Sequence, residues 1–251
     1  MTYHNNFTIY NEKKHVIELR AMIVDREKIT KRIENLFHES VEVKLHFLKN
    51  NRELLVRVVE EIAGAFKNDR KLLVFGNGGS ACDSQHFVGE FVNRFMHDRA
   101  PLPAIALTAD MSILTSCAND YSYDEVFERQ LRALGRPGDI AFGISTSGNS
   151  KNVVRALKRA KEMRLITIGM TGYDGGEVGK IVDHHIHVAL GKTPRIQETH
   201  IVVCHLIAEM IDRSGKTIKS IVMIGGDVYL RCVELFHFDQ PAMGVIRVAQ
   251  R

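Results

Sequence analysis

His86 and Glu90 are four residues apart in the segment His86-Phe-Val-Gly-Glu90, so on a helix they project from one face, one turn apart. In Gln197-Glu-Thr-His-Ile-Val-Val-Cys-His205 the terminal residues are eight apart, about 80° round a helix, and both can look towards one cavity. Neutral imidazole and carboxylate are good ligands for Zn²⁺ or a similar divalent ion, and an amide oxygen is a weaker one. A polar or charged group on the buried side of a helix is costly unless it is paired, hydrogen-bonded or metal-bound. Spacing alone leaves two readings open. The four form a ligand set, or they are unrelated residues whose histidines are satisfied core groups.

Two short polar turns follow apolar runs. Lys71-Leu-Leu-Val-Phe75 leads into Gly76-Asn-Gly-Gly-Ser80, and Asp139–Ile144 leads into Ser145-Thr-Ser-Gly-Asn-Ser150. The first can wrap backbone N–H groups round an anion at a helix start, although it is neither GxGxxG nor a Walker loop. The second gathers the hydroxyls of Ser145, Thr146, Ser147 and Ser150, short donors of the kind a phosphate needs. It could equally be a capped turn with Ser147 or Ser150 as N-cap. Together the two loops favour a phosphosugar over a nucleotide. Asn119-Asp120 could touch sugar hydroxyls or form a simple turn. In Asp183-His-His-Ile-His187, His185 and His187 share one strand face, but no acidic partner is fixed and metal binding is not expected there. His200 reads as a surface group or as one that supports a neighbouring ligand.

These residues must be positioned by a recurring strand–turn–helix unit. Helices are expected over 12–26, 29–49, 52–68, from the glycine turn to about Met96, and over 124–134, 152–163 and 195–213. Strands are expected over 71–75, 103–107, 139–144, 165–170 and 181–188. Alternating strands and helices imply a parallel sheet covered on both faces, a doubly wound α/β fold, with ligands beyond the carboxyl ends of the strands. The tail from Ser214 has a candidate strand at 217–224 and an apolar stretch at 228–238, without an assigned role.

The 251 residues suit one α/β domain with extensions; 45% hydrophobic and 25% charged residues are ordinary globular values. A formal charge of +4 is spread along the chain, which does not argue for nucleic-acid binding and suits an anionic small substrate. Cys82, Cys117, Cys204 and Cys232 have no CxxC spacing, so reduced packing cysteines are expected. There is no signal-peptide pattern and no apolar run near 18 residues. A cytoplasmic protein is expected.

Phe75-Gly-Asn-Gly-Gly-Ser80, Gly143-Ile-Ser-Thr-Ser-Gly-Asn-Ser150, Met170-Thr-Gly-Tyr-Asp-Gly-Gly176 and Arg195-Ile-Gln-Glu-Thr-His-Ile-Val-Val-Cys-His205 closely resemble the sedoheptulose 7-phosphate (phosphoheptose) isomerases of the sugar isomerase, or SIS, fold. The resemblance runs from about Ile29 to Arg213, which sets off an N-terminal extension (1–28), an SIS domain (29–213) and a C-terminal extension (214–251). It implies N-terminal helices used in oligomerisation, a homotetramer with active sites between subunits, and one divalent metal per subunit, usually Zn²⁺. By motif the metal ligands would be His86, Glu90, Gln197 and His205. Asn77, Gly78, Gly79, Glu90, Asn119, Asp120, Ser145, Thr146, Ser147, Ser150 and Gln197 would hold the phosphorylated sugar. The implied reaction converts sedoheptulose 7-phosphate to D-glycero-D-manno-heptose 7-phosphate, the first step towards the heptose of lipopolysaccharide or other surface glycans. Such a proton shift between C1 and C2 asks for a base, an acid and stabilisation of an enediolate. Glu90 is assigned as base and His205 as acid, with the metal as Lewis acid.

Two alternatives share the fold. The DnaA-binding replication-initiation factors resemble this chain at the Gly-Asn-Gly turn and the RIQE segment, but in them the positions of Glu90 and His205 carry non-catalytic residues. A sugar-phosphate-sensing regulator would need a DNA-binding segment, which this sequence lacks. The enzyme reading is preferred because a binding protein has no physical reason to bury a carboxylate and an imidazole facing one another.

Overall fold

The structure, a computed structural model, describes residues 26–214, 220–224 and 227–231. The chain divides into two compact units, 1–42 and 43–251. The expected helix over 12–26 lies outside the described residues except for Arg26, as do Cys232 and most of the apolar stretch 228–238.

One helix, α1, runs unbroken from Arg26 to Lys67 where two were expected. Asn50-Asn51 reads as a turn signal, but both side chains are spent on the helix itself. Asn50 Nδ2 donates to His46 O at 3.0 Å and Asn51 Nδ2 to Phe47 O at 2.9 Å. With no Gly or Pro between residues 46 and 55, nothing removes a backbone bond and the helix continues.

The succeeding elements are β1 (Leu72–Gly76), α2 (Gly79–Val92), β2 (Ala104–Ala106), α3 (Met111–Asp120), a 3₁₀ turn (Tyr123–Glu125), α4 (Val126–Leu134), β3 (Ile140–Ser145), α5 (Lys151–Glu162), β4 (Ile166–Gly172), α6 (Gly176–Ile181), β5 (His184–Val188) and α7 (Thr193–Ser214). A separate antiparallel pair, β6 (Ser220–Ile224) and β7 (Asp227–Arg231), follows. All the expected strands are present. Helix α2 stops at Val92 and not near Met96, and α3 and α6 are additional. Helix α3 lacks strong apolar periodicity; its start is fixed by Asp110, whose side chain accepts from Ile113 N at 3.0 Å.

The five-stranded sheet is wholly parallel in the order β2-β1-β3-β4-β5. Alternate residues feed two cores. Leu72, Val74, Ile140, Phe142 and Ile144 pack with α1, α2 and α7, whereas Leu73, Phe75 and Ala141 pack with α4 and α5. The doubly wound expectation is met, with helices on both faces. Glycine sets the thinness of one interface: a Cβ on Gly143 would stand 2.9 Å from Leu157 and 3.0 Å from Val153. Strand order reverses between β1 and β3, the switch point at which such sheets bind ligands. The two polar loops leave those two strands.

His200, expected on the surface or beside a ligand, is fully buried on α7. Its Nε2 donates to Thr171 O at 3.2 Å, while Nδ1 is buried with no partner among the described residues. Burial lowers its pKa to about 4, against a small opposing pull from the Thr171 carbonyl. The unfolded chain therefore binds a proton near pH 6.5 that the folded chain refuses. The stability conferred by neutral His200 is complete above about pH 6.5 and is lost as pH falls towards 4, on the order of 3 kcal/mol in all. Urea midpoints measured at pH 7.5 and 5 should fall more steeply for the parent than for His200→Leu. Equal slopes would show that His200 does not titrate in this way.

Candidate active site

The glycine turn after β1 is locked to the start of α5. Asn77 Nδ2 donates to Asn152 Oδ1 at 2.8 Å, and Asn152 Nδ2 returns a bond to Asn77 Oδ1 at 2.9 Å. Tyr123 donates its hydroxyl to the same Asn77 oxygen at 3.0 Å. Asn152 is 2% exposed and its Oδ1 also receives Val153 N. This amide pair ties the loop after β1 to the loop after β3. Asn77 thus fastens the two loops, its side-chain amide engaged by Asn152 and Tyr123. The sequence pointed to Asn77 but missed Asn152 and Tyr123, which are 75 and 46 residues away from it.

In the second loop Ser145 Oγ and Ser150 Oγ lie 3.0 Å apart. Ser150 occupies the N-cap of α5 without a side-chain capping bond, so the plain capped-turn reading does not account for it. Ser147 is exposed and its hydroxyl accepts Asn149 N at 3.2 Å. Thr146 O receives Gly172 N at 2.9 Å, which ties the loop to β4. Gly148 has φ +66°, and a Cβ there would stand 2.1 Å from Gly175 O. Only glycine allows that backbone approach. Behind Gly175 lies His185, whose Nε2 is 2.7 Å from Thr171 Oγ1, stacked on His187 at 5.0 Å between centroids. His187 in turn binds Tyr173 O at 2.9 Å. Two of the three imidazoles of the His-rich strand, His185 and His187, thus brace the loop's support.

On α2 and α7 three of the four candidate ligands come together. His86 Nε2 is 3.0 Å from Glu90 Oε1 and 3.0 Å from His205 Nε2, and the three ligand atoms lie within 4.8 Å of one another. Two imidazole nitrogens this close need a proton or a cation between them. Donors round one Zn²⁺ ion sit about 3.3 Å apart, close to both separations from His86 Nε2, and the donor set of two imidazoles and a carboxylate suits a divalent ion. Among the described residues it is the group of His, Cys, Asp or Glu side chains suited to that task. Gln197 is held differently: its Nε2 would be 2.3 Å from a Cβ on Gly79. Its amide packs on the glycine turn at the head of α2, and the structure does not by itself join it to the trio.

The expected burial is corrected. The side chains of His86 and Glu90 are 47% and 21% exposed, because Ser84, Phe87 and Phe91 take the inward face of α2. Convergence, not burial, distinguishes the trio. Asp83, one turn before His86, was missed. Its Oδ2 is buried without a partner among the described residues, and burial pushes its carboxyl upward while His86 pulls it back. Asn119 and Asp120 are exposed on the last turn of α3 rather than in a simple turn; Asn119 Nδ2 donates to Asp120 Oδ1 at 2.9 Å. Cys82, Cys117 and Cys204 are free thiols, as expected.

Residues 36–172 match the SIS domain family. The chain is 49% identical over 181 residues to a phosphoheptose isomerase of Aquifex aeolicus, covering 95% of that protein and 72% of this one. Among solved structures it is similar to a phosphoheptose isomerase from Neisseria gonorrhoeae, with a TM-score of 0.70 and 42% identity over 74% of this chain and 99% of that one. One from Francisella tularensis gives a TM-score of 0.71 at 32% identity, covering 73% of this chain and 98% of the other. With the strand order, both polar loops and the His–Glu–His convergence in place, the chain belongs to the phosphoheptose isomerases of the SIS domain family.

Proposed function

We propose that this chain is the aldose–ketose isomerase that converts sedoheptulose 7-phosphate to D-glycero-D-manno-heptose 7-phosphate, opening the route to the heptose of lipopolysaccharide or another surface glycan. The observation that carries the reading is the convergence of Glu90 with His86 and His205 in a chain that also keeps a hydroxyl-rich loop at the sheet's switch point. Ser145, Thr146, Ser147 and Ser150, with the backbone of Gly78 and Gly79, bind the phosphate end of the sugar. Asn119 and Asp120 face its hydroxyls. Glu90 takes the proton from the carbon next to the carbonyl, and His205 supplies one to the oxygen that becomes a hydroxyl. A Zn²⁺ ion, or another divalent cation held by His86, Glu90, Gln197 and His205, would supply Lewis-acid polarisation of the sugar oxygens.

The catalytic body is residues 29–213, in a cytoplasmic homotetramer whose sites lie between subunits. Support comes from exposed apolar groups: Ile29, Ile33, Phe37 and Val41 recur every four residues in the first unit, and Leu45, Leu48 and Val56 are exposed in the second. The exposure of His86 also suits a site that a neighbouring subunit completes. No described helix is long and apolar enough to cross a membrane.

Purified protein incubated with sedoheptulose 7-phosphate and Zn²⁺ should form the aldose. No turnover, accompanied by tight DnaA binding, would make it a replication-initiation factor of the same fold. Glu90→Gln should lower kcat by about 10²–10⁴-fold with KM little changed, and near-parental kcat would remove Glu90 from the base role. Gly148→Ala should act the other way round. Its Cβ collides with Gly175 O, so KM for the phosphosugar should rise tenfold or more; an unchanged KM would detach this loop from the phosphate. Chelation should abolish activity and added Zn²⁺ restore it, whereas full activity in metal-free protein would refute a catalytic ion.

A further inference from the structure

Glu90 sits in the last turn of α2, where the carbonyl groups have no partners within the helix. One side chain caps Glu90 O and shares Phe91 O with the backbone of Leu102, whose N donates at 3.0 Å. Arg99 Nη2 donates to Glu90 O at 2.7 Å, and Nη1 donates to Phe91 O at 2.9 Å and to Ala100 O at 3.0 Å. The remaining edge of the guanidinium, Nε, donates to Asp212 Oδ1 at 2.9 Å. Asp212 lies on α7 with a side chain that is fully buried, and Arg99 is 12% exposed. The second oxygen, Oδ2, receives Met96 N at 3.2 Å, His97 N at 2.9 Å and His97 Nδ1 at 2.9 Å. Both carboxylate oxygens are thereby occupied.

Asp212 and His205 are seven residues apart on α7, two turns, and so lie on nearly the same face. Elsewhere α2 and α7 meet through His86 with His205 and the Gln197 amide on Gly79, and otherwise through a shared apolar cluster that includes Phe87, Phe91, Cys204, Ile207 and Ala208. Apolar burial is non-directional and tolerates axial sliding. A planar guanidinium held between two helix-end carbonyls and a buried carboxylate does not. We propose that Arg99, anchored by Asp212, is a positioning residue: it fixes the axial register of α2 against α7, and with it the distance from Glu90 and His86 to His205.

The inference rests on the trio acting as the catalytic and metal-binding group, and its test separates the two ideas. Arg99→Lys keeps the charge but not the fork, and Asp212→Asn keeps the shape but not the charge. Each full-length variant would be stripped with a chelator and titrated with Zn²⁺ against a chromophoric competitor. kcat and KM for sedoheptulose 7-phosphate would be measured on the reloaded protein, and far-ultraviolet circular dichroism would report folding. Zn²⁺ affinity and kcat should each fall about 10–100-fold, with KM changed less than about twofold because the hydroxyl loop after β3 is held by β4 and the Gly148–Gly175 contact. Folded variants with parental kcat and affinity would overturn the proposal, as would kcat and KM shifting together. Unfolding of both variants would make the network merely structural and overturn it equally. If the parent isomerises yet takes no Zn²⁺, the metal reading fails alone and the kcat–KM split still decides the role of Arg99.

Discussion

The arrangement of the site depends on the burial of Phe87 and Phe91. Both rings are fully buried and lie 4.9 Å apart, with Phe87 5.4 Å from Phe142 of β3 and Phe91 5.5 Å from Phe66 of α1. Removing a buried Phe of this kind typically costs about 3–5 kcal/mol, far more than exposing one imidazole. His86 and Glu90 each precede one of these rings in sequence. Turning the rings into the core therefore swings the polar pair about 100° away, to the edge of α2 that meets His205. The aromatic pair aims the polar trio without being part of it.

A second constraint is close backbone approach at the sheet's carboxyl end. Gly148 meets Gly175 and Gly176 backbone to backbone, and Val178 N donates to Gly148 O at 2.9 Å. Loop hydroxyls mounted on such a contact have little freedom left to lose when a ligand binds. The amide pair Asn77–Asn152 extends the same rigidity to the neighbouring turn. An anion entering there meets groups already fixed by strand ends and glycine contacts.

The architecture was legible because its signals are local. Each core strand is a short apolar run that ends in a turn of small polar residues, and the helix–strand alternation allowed little but a parallel sheet. The errors also have local causes. Asn50-Asn51 looks like a break when its side chains in fact return to helix carbonyls, and the Ser, Thr and Cys content of α3 hides a helix that Asp110 caps. On α2 the stripe His86/Glu90 and the stripe Phe87/Phe91 have the same four-residue spacing, so spacing alone could not decide which faces inward; relative hydrophobicity does. Arg99 and Asp212 left no trace in the sequence, because a pair 113 residues apart makes no periodic pattern and neither residue lies in a motif.

On the proposed roles, substrate holding and proton transfer rest on different supports. The hydroxyl loop is carried by strand ends and glycine contacts, whereas Glu90, His86 and His205 ride on the flanks of two helices whose mutual register is set by side chains. Helix flanks yield more readily than a sheet edge, since one rotamer or a small axial shift moves a side chain by an ångström. Rates are sensitive to that scale, about a hundredfold for a misplacement of about 1 Å, while phosphate affinity spread over several donors is not. Substitutions in the two regions should separate accordingly, into those that weaken binding and those that slow turnover. A buried ion pair at the far end of the two helices, remote from the phosphate loops, belongs by this logic with the second kind.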